Sequence, residues 1–297
     1  MLLLALALVV AACGPAEEPT ESAPVEEPTA EEMEEPTSEP VPEVSSKRGG
    51  VLKHALPPIN TLDPAFLSSV SDDQVGRYWH DFLVTIDENY EPDWDRSLAT
   101  GYEVNDEGTV WTFNVRDNVT FHDGKPLTAE DIVFTFDRLR DPDVGAATVD
   151  LYANILEVEA LDDYTVRFTL EKPNPDFITY DLNDYHALIM DKDSEDFTTE
   201  WNATGPFMIE EYIPEDRLVM KRNPNYWMIG EDGQPLPYLE GFEFVFLTDP
   251  SAQVEALQGG QVHWINYVSP EFIDPLEADP DIKLHIKAAN THYAIHM

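Results

Sequence analysis

Apolar positions recur along the chain at two spacings, every second residue and every third or fourth, and they locate most of its elements. Val51-Leu52-Lys53-His54-Ala55-Leu56 reads as a first strand, stopped by Pro57-Pro58 and followed by a loop through Leu62-Asp63-Pro64. Val75, Tyr78, Trp79, Phe82 and Leu83 share one face of a helix predicted over 72–84. Tyr102 and Val104 lead into the turn sequence Asn105-Asp106-Glu107-Gly108, after which Trp111, Phe113 and Val115 alternate on one face of a strand over 110–116. Asp123-Gly124 marks another turn. Thr128 and Asp131 have the spacing of a helix N-terminal cap, ahead of Ile132, Val133, Phe136 and Leu139 at helical intervals.

The second half continues the same way. Residues 164–170 form a strand with four apolar residues on one side, and 207–209 and 218–220 flank Pro214-Glu215-Asp216 as a hairpin. Phe242, Phe244 and Phe246 make another alternating strand. Asp249-Pro250 opens a helix that turns Val254 and Leu257 inward and closes at Gly259-Gly260. Ser269-Pro270 repeats the device before Phe272, Ile273 and Leu276, and 282–286 is predicted as a strand. Strands and helices are mixed, with several hairpins and no internal repeat, so the class is α/β or α+β with a mixed sheet. Trp111, Phe113, Val115 and Phe121 are assigned to the core, Thr128 and Asp131 to capping, and Arg116 to an ion pair with a nearby carboxylate.

Composition changes the picture at the N-terminal end. Residues 1–12, MLLLALALVVAA, are an apolar run ending in small residues, too short to span a bilayer and of the size of a signal-peptide core whose start is missing. Cys13, the single cysteine, follows Val10-Ala11-Ala12 as in a bacterial lipoprotein box and is the expected lipidation site. The following 33 residues, 14–46, hold 11 Glu and 7 Pro with no Lys, Arg or aromatic residue, a composition that cannot bury enough apolar surface to offset ordering entropy. Residues 13–46 therefore read as a lipidated cysteine and an extended acidic tether.

The 297 residues carry 59 acidic and 17 basic side chains, a net charge of −42. That balance argues against nucleic acid as a partner and against docking on anionic lipid through a basic patch. One cysteine excludes a disulfide framework. No Gly-x-Ser-x-Gly elbow, phosphate loop or His-Glu-x-x-His motif is present. Among so many carboxylates a glycosidase-like pair arises by chance and carries no information.

The stretch from Ala99 to Arg138 is more specific. Gly108, Trp111-Thr112-Phe113, Arg116, Phe121, Asp123-Gly124, Pro126, Thr128-Ala129 and Asp131 resemble the signature of extracellular solute-binding proteins of family 5, the oligopeptide-, dipeptide- and nickel-binding components of ABC importers. Leu62-Asp63-Pro64, Thr204-Gly205-Pro206-Phe207, Asn223-Pro224-Asn225-Tyr226-Trp227 and Ala256-Leu257-Gln258-Gly259-Gly260-Gln261-Val262 are similar to further family segments in the same order. Ala203 and His263 depart from it, where Gly and Asp are usual.

The resemblance implies a two-lobed periplasmic-binding-protein-like fold of type II with an extra inserted domain. Residues 47–80 and 191–297 would form lobe I and 81–190 the inserted domain, with the C-terminal lobe missing from the chain. It implies capture of a peptide or related small solute by hinge closure, without a catalytic group, cofactor or metal, and delivery to an ABC permease and its ATPase. A monomer is expected, held by its lipid on the outer face of the bacterial cytoplasmic membrane, in the periplasm or outside the cell. With half of the cleft absent, the chain by itself is expected to bind ligand weakly.

Ligand contacts are expected from loops facing that cleft: Ser68, Ser69 and Val70 after Leu-Asp-Pro, Asn266 and Tyr267 after a short strand, and Asn290, His292 and Tyr293 where the chain would cross to a second lobe. An ordinary polar loop is the competing reading of 68–70. Trp264 is assigned to the core. His292 and His296 are four apart in an extended stretch, where they do not converge on a metal. A sensory or interaction module and a secreted hydrolase are the alternative functions.

Overall fold

The computed structural model describes residues 48–285. Cys13, the tether, Asn290, His292, Tyr293 and His296 lie outside the described residues. Two sheets organise the remainder. The first holds β1 (Val51–Leu56), β6 (Phe207–Ile213), β7 (Arg217–Arg222), β8 (Gly241–Phe246) and β9 (Trp264–Ile265), in the order β6-β7-β8-β1-β9. β6, β7 and β8 are an antiparallel meander, whereas β1 runs parallel to both β8 and β9. The second sheet is antiparallel, β2 (Ala99–Val104), β3 (Val110–Val115), β5 (Thr165–Leu170) and β4 (Ile155–Asp162), in the order β2-β3-β5-β4.

Alternation sets the layers of the first sheet. Leu56, Phe242, Phe244 and Phe246 join Leu218 and Met220 on one face, against Val75 and Trp79 of helix α1 (Val70–Trp79). Ala55 and Ile265 join Val254, Ala256, Val262 and Leu276 on the other. That face is covered by α3 (Pro250–Gln258) and α4 (Pro270–Glu277). A parallel centre with helices on both faces is the arrangement that buries both sides of β1.

In the second sheet Trp111, Phe113, Val166, Phe168 and Leu170 are buried together with Ile132, Phe136 and Leu139 of α2 (Ala129–Arg140). Thr128 and Asp131 form a reciprocal capping box at the start of α2. The β2–β3 turn is closed by Asn105, whose Oδ1 accepts from Thr109 N at 2.8 Å and Val110 N at 2.9 Å. Gly108 there has φ of 69°, a left-handed conformation that a side chain disfavours.

Four expectations are corrected. The helix over 72–84 starts two residues early and stops at Trp79, because His80 turns extended and the chain enters a bridge between Phe82 and Leu188. Phe82 and Leu83 are buried as predicted, but as extended chain. Of the strand predicted over 282–286, residues 282–285 are described and form none; Ile282 and Leu284 instead pack on the third hydrophobic cluster. Among the described residues Arg116 pairs with no carboxylate. It donates to the Ser97 carbonyl at 2.9 Å and the Trp94 carbonyl, and its guanidinium lies 4.5 Å from the Trp227 ring centre. Trp264 is not core: on the two-residue edge strand β9 it remains 44% exposed and stacks on His54.

Candidate ligand-binding edge

Parallel β1 and β9 place their C-terminal ends on one edge of the first sheet. At that edge of an open α/β sheet, loops and helix starts converge and ligands bind. The loop after β1 is held by one buried carboxylate. Asp72, 1% exposed, accepts from Asn60 N at 2.7 Å, Ser68 N at 2.9 Å and Ser69 N at 3.0 Å. The Ser69 hydroxyl accepts from Asp72 N at 3.1 Å, which completes a capping box on α1. Asn60 Nδ2 donates to the Ser68 hydroxyl at 3.1 Å. Ser69 thus caps the helix, Ser68 is exposed beside Asn60, and Val70 is 73% exposed on the first turn.

Asn266 and Tyr267 follow β9 directly and are both exposed, Tyr267 by 57%. Because β9 pairs with β1 through Ala55 and Ile265, they leave the sheet next to the residue where β1 ends. Ser68, Ser69 and Val70 thus follow β1 through a loop tied to Asp72 by Asn60, and Asn266 and Tyr267 follow its neighbour β9.

Beneath this edge is a histidine that periodicity did not single out. His54 on β1 is 1% exposed, stacked on Trp264 at 5.1 Å between ring centres and 5.6 Å from Phe244. Among the described residues neither ring nitrogen reaches a partner at hydrogen-bonding geometry. Burial pushes its pKa down to about 4, opposed by the nearby Asn266 side chain. At neutral pH it is an uncharged aromatic under Trp264.

A second missed constellation joins the two sheets. Asp63 and Arg138 form a two-pronged ion pair at 2.8 and 2.6 Å, with both side chains largely buried. Asp63 also accepts from Ala65 N at 3.1 Å, and Arg138 lies 4.4 Å from the Phe197 ring centre. Further along, Asp81 accepts from the Tyr226 hydroxyl at 2.8 Å and from Trp227 Nε1 at 3.3 Å. Burial raises the Asp81 pKa, and these donors act against it. Asn223 Nδ2 donates to the Gly205 carbonyl at 3.1 Å. The segments quoted for family resemblance thus clasp one another, an arrangement visible only once they are folded.

A model of the bacterial extracellular solute-binding proteins, family 5 Middle, matches residues 95–297. The chain belongs to that family. Glutathione-binding protein GsiB of Salmonella typhimurium is 28% identical over 208 residues, 69% of this chain and 39% of that protein. Periplasmic oligopeptide-binding protein OppA of the same organism is 29% identical over 192 residues, 57% of this chain and 35% of that protein. The structure also resembles the ABC transporter-associated periplasmic binding protein DppA from Helicobacter pylori, solved with the peptide STSA. TM-score is 0.70 and identity 25%, covering 79% of this chain and 50% of that one. The chain spans half or less of the length of these relatives. Among the described residues no cluster of His, Cys, Asp or Glu could hold a metal, and no helix is long and apolar enough to cross a membrane.

Proposed function

We propose that this family member is the solute-capturing component of an ABC importer, taking peptides or related small solutes and passing them to a permease and its ATPase. The observation that supports this best is the parallel pairing of β1 with β9, each followed in the chain by one of the two proposed contact loops, 68–70 and 266–267. Backbone groups and amide side chains there suit the main chain of an extended peptide, and water fills spare volume. Capture works by favouring a closed population of lobes, with no bond made or broken.

The division of strands between the sheets supports assigning 47–80 and 191–297 to lobe I and 81–190 to an inserted domain. The names of the relatives support a periplasmic setting, and Cys13 with the tether supports a lipid anchor outside the cytoplasmic membrane. Asn290, His292 and Tyr293 complete the proposed contact set.

Calorimetric titration of the chain with di- to pentapeptides and with glutathione tests the reading, with mass spectrometry of the recovered ligand. Saturable, weak binding of intact ligand is expected, reduced about tenfold by Asn266→Ala or Tyr267→Ala as charged or amide hydrogen bonds and stacking are lost. Absence of binding, or cleavage of the peptide, overturns it; cleavage would instead support a hydrolase.

A further inference from the structure

A second cavity, of about 470 Å³, lies apart from the carboxyl edge, below the C-terminal end of α1. Its size is in the range of small-molecule pockets. Tyr78, Phe82, Phe207, Met228, Leu236 and Pro237 supply apolar wall. Two guanidinium groups, Arg77 and Arg96, stand in the same lining.

Their situations differ. Arg77 is held by Asp73 at 2.6 Å and lies over the Phe82 ring. Arg96 is exposed; its backbone bonds to Asp93 and Thr85, but among the described residues its guanidinium makes neither a hydrogen bond nor an ion pair. Arg116 and Arg222 also lack a carboxylate partner, but their guanidinium groups are held by backbone carbonyls, and that of Arg96 is not. Solvent alone would leave it indifferent to position, yet it borders an apolar-walled hollow. The one carboxyl in the lining, Asp81, is turned to Tyr226 and Trp227, and its burial favours the neutral form. His80, also in the lining, is buried and bonded through Nδ1 to the Ile189 carbonyl at 2.8 Å.

We propose that this cavity is a second binding site, for a small organic carboxylate with an apolar body. The carboxylate would take the free fork of Arg96 in a two-pronged, charge-assisted contact, and the body would lie against Tyr78, Phe82 and Met228. The site is independent of the peptide-capturing edge: it sits at the opposite end of α1 from Ser69. It would let an acidic metabolite bind between β6 and the segment leading out of α1.

Phenylacetate and its uncharged analogue phenylacetamide are the probes, titrated calorimetrically into the full chain and into Arg96→Ala, Arg96→Lys and Tyr267→Ala. The Arg96 guanidinium makes no hydrogen bond or ion pair among the described residues, and its backbone bonds to Asp93 and Thr85 survive truncation, so Arg96→Ala is expected to keep the melting temperature of the parent, which circular dichroism checks. Saturable binding of phenylacetate is expected, at least about tenfold weaker in Arg96→Ala and for the amide, as a charge-assisted contact is lost. Arg96→Lys should fall between, and Tyr267→Ala should match the parent. Lack of saturable binding, equal affinity for acid and amide, insensitivity to Arg96→Ala, or a loss in Tyr267→Ala as large as in Arg96→Ala each overturns the proposal. The last of these would place the anion at the carboxyl edge instead.

Discussion

His54 shows how one side chain can tie stability to pH. Its folded pKa, about 4, lies below the ordinary value of 6.5 because burial disfavours the imidazolium. Above both values the ring is neutral in both states and costs nothing. As pH falls through 6.5 the unfolded chain takes a proton that the folded one refuses, so stability is lost on acidification until the folded value is reached. Replacing His54 by Phe is therefore expected to leave stability near pH 8 little changed and to raise it by about 2 kcal/mol near pH 5, relative to the parent. Urea unfolding at the two pH values measures the difference. The comparison separates His54 from Asp181, whose carboxyl burial pushes up to about 6 and whose contribution has the opposite sign, present at low pH and lost as pH rises through 6. A buried pair gives a second residue-scale expectation. Asp63→Ala leaves the Arg138 guanidinium uncompensated and removes the acceptor for Ala65 N, and should cost about 3–5 kcal/mol. In a double-mutant cycle Arg138→Met should recover part of that loss, because the stranded charge is then gone.

At the scale of elements, the entry to β6 depends on close approach to the end of α1. Gly205 N donates to the Trp79 carbonyl at 2.9 Å. A Cβ on Gly205 would lie 2.4 Å from the Trp79 carbonyl carbon and oxygen and 2.8 Å from His80 N, all backbone atoms that cannot swing aside. Gly205→Ala should therefore destabilise by about 1–3 kcal/mol or more through overpacking. The urea midpoint should fall, and amide exchange should rise first in β6 and the last turn of α1. Unchanged exchange in both would mean that the contact is not needed. The same approach explains where α1 ends: His80 leaves the helix with its N–H still bonded to the Gly76 carbonyl, and extended chain from there meets both Gly205 and Leu188.

For the whole molecule, charge is the dominant global feature. Acids exceed bases by 42 over the chain, and ion pairs such as Lys53–Glu243 and Lys221–Glu210 engage only a minority of them. Compact folding concentrates that excess and opposes itself. Raising sodium chloride from about 20 mM to about 500 mM shortens the screening length from roughly 20 Å to roughly 4 Å. The melting temperature is expected to rise, since repulsion outweighs the few exposed pairs that salt also weakens. A fall in melting temperature would show that the ion pairs carry more of the stability than their number suggests.

Alternation by itself located the buried faces: Phe242, Phe244 and Phe246, and Trp111, Phe113 and Val115, are buried as their spacing requires, because a strand's side chains can only alternate. The caps at Thr128 and Asp249 were equally legible, since a helix start needs local acceptors for its free N–H groups. β4 carried no such signal: its Ile155 and Val158 are buried but its register shifts twice, which blurs the alternation. Trp264 was misread because large aromatic residues are usually buried, and only the position of β9 at the sheet edge leaves it open. Arg116 was misread because opposite charge is abundant everywhere in the sequence, while the fold offers it carbonyls and an indole face. Pairing of β1 with both β8 and β9, some 190 to 210 residues away, left no trace in any local pattern. Local patterns fix which face of an element is apolar. Which elements meet, and so which exposed residues share a site, depends on packing between segments far apart in the chain, and only the tertiary structure decided it.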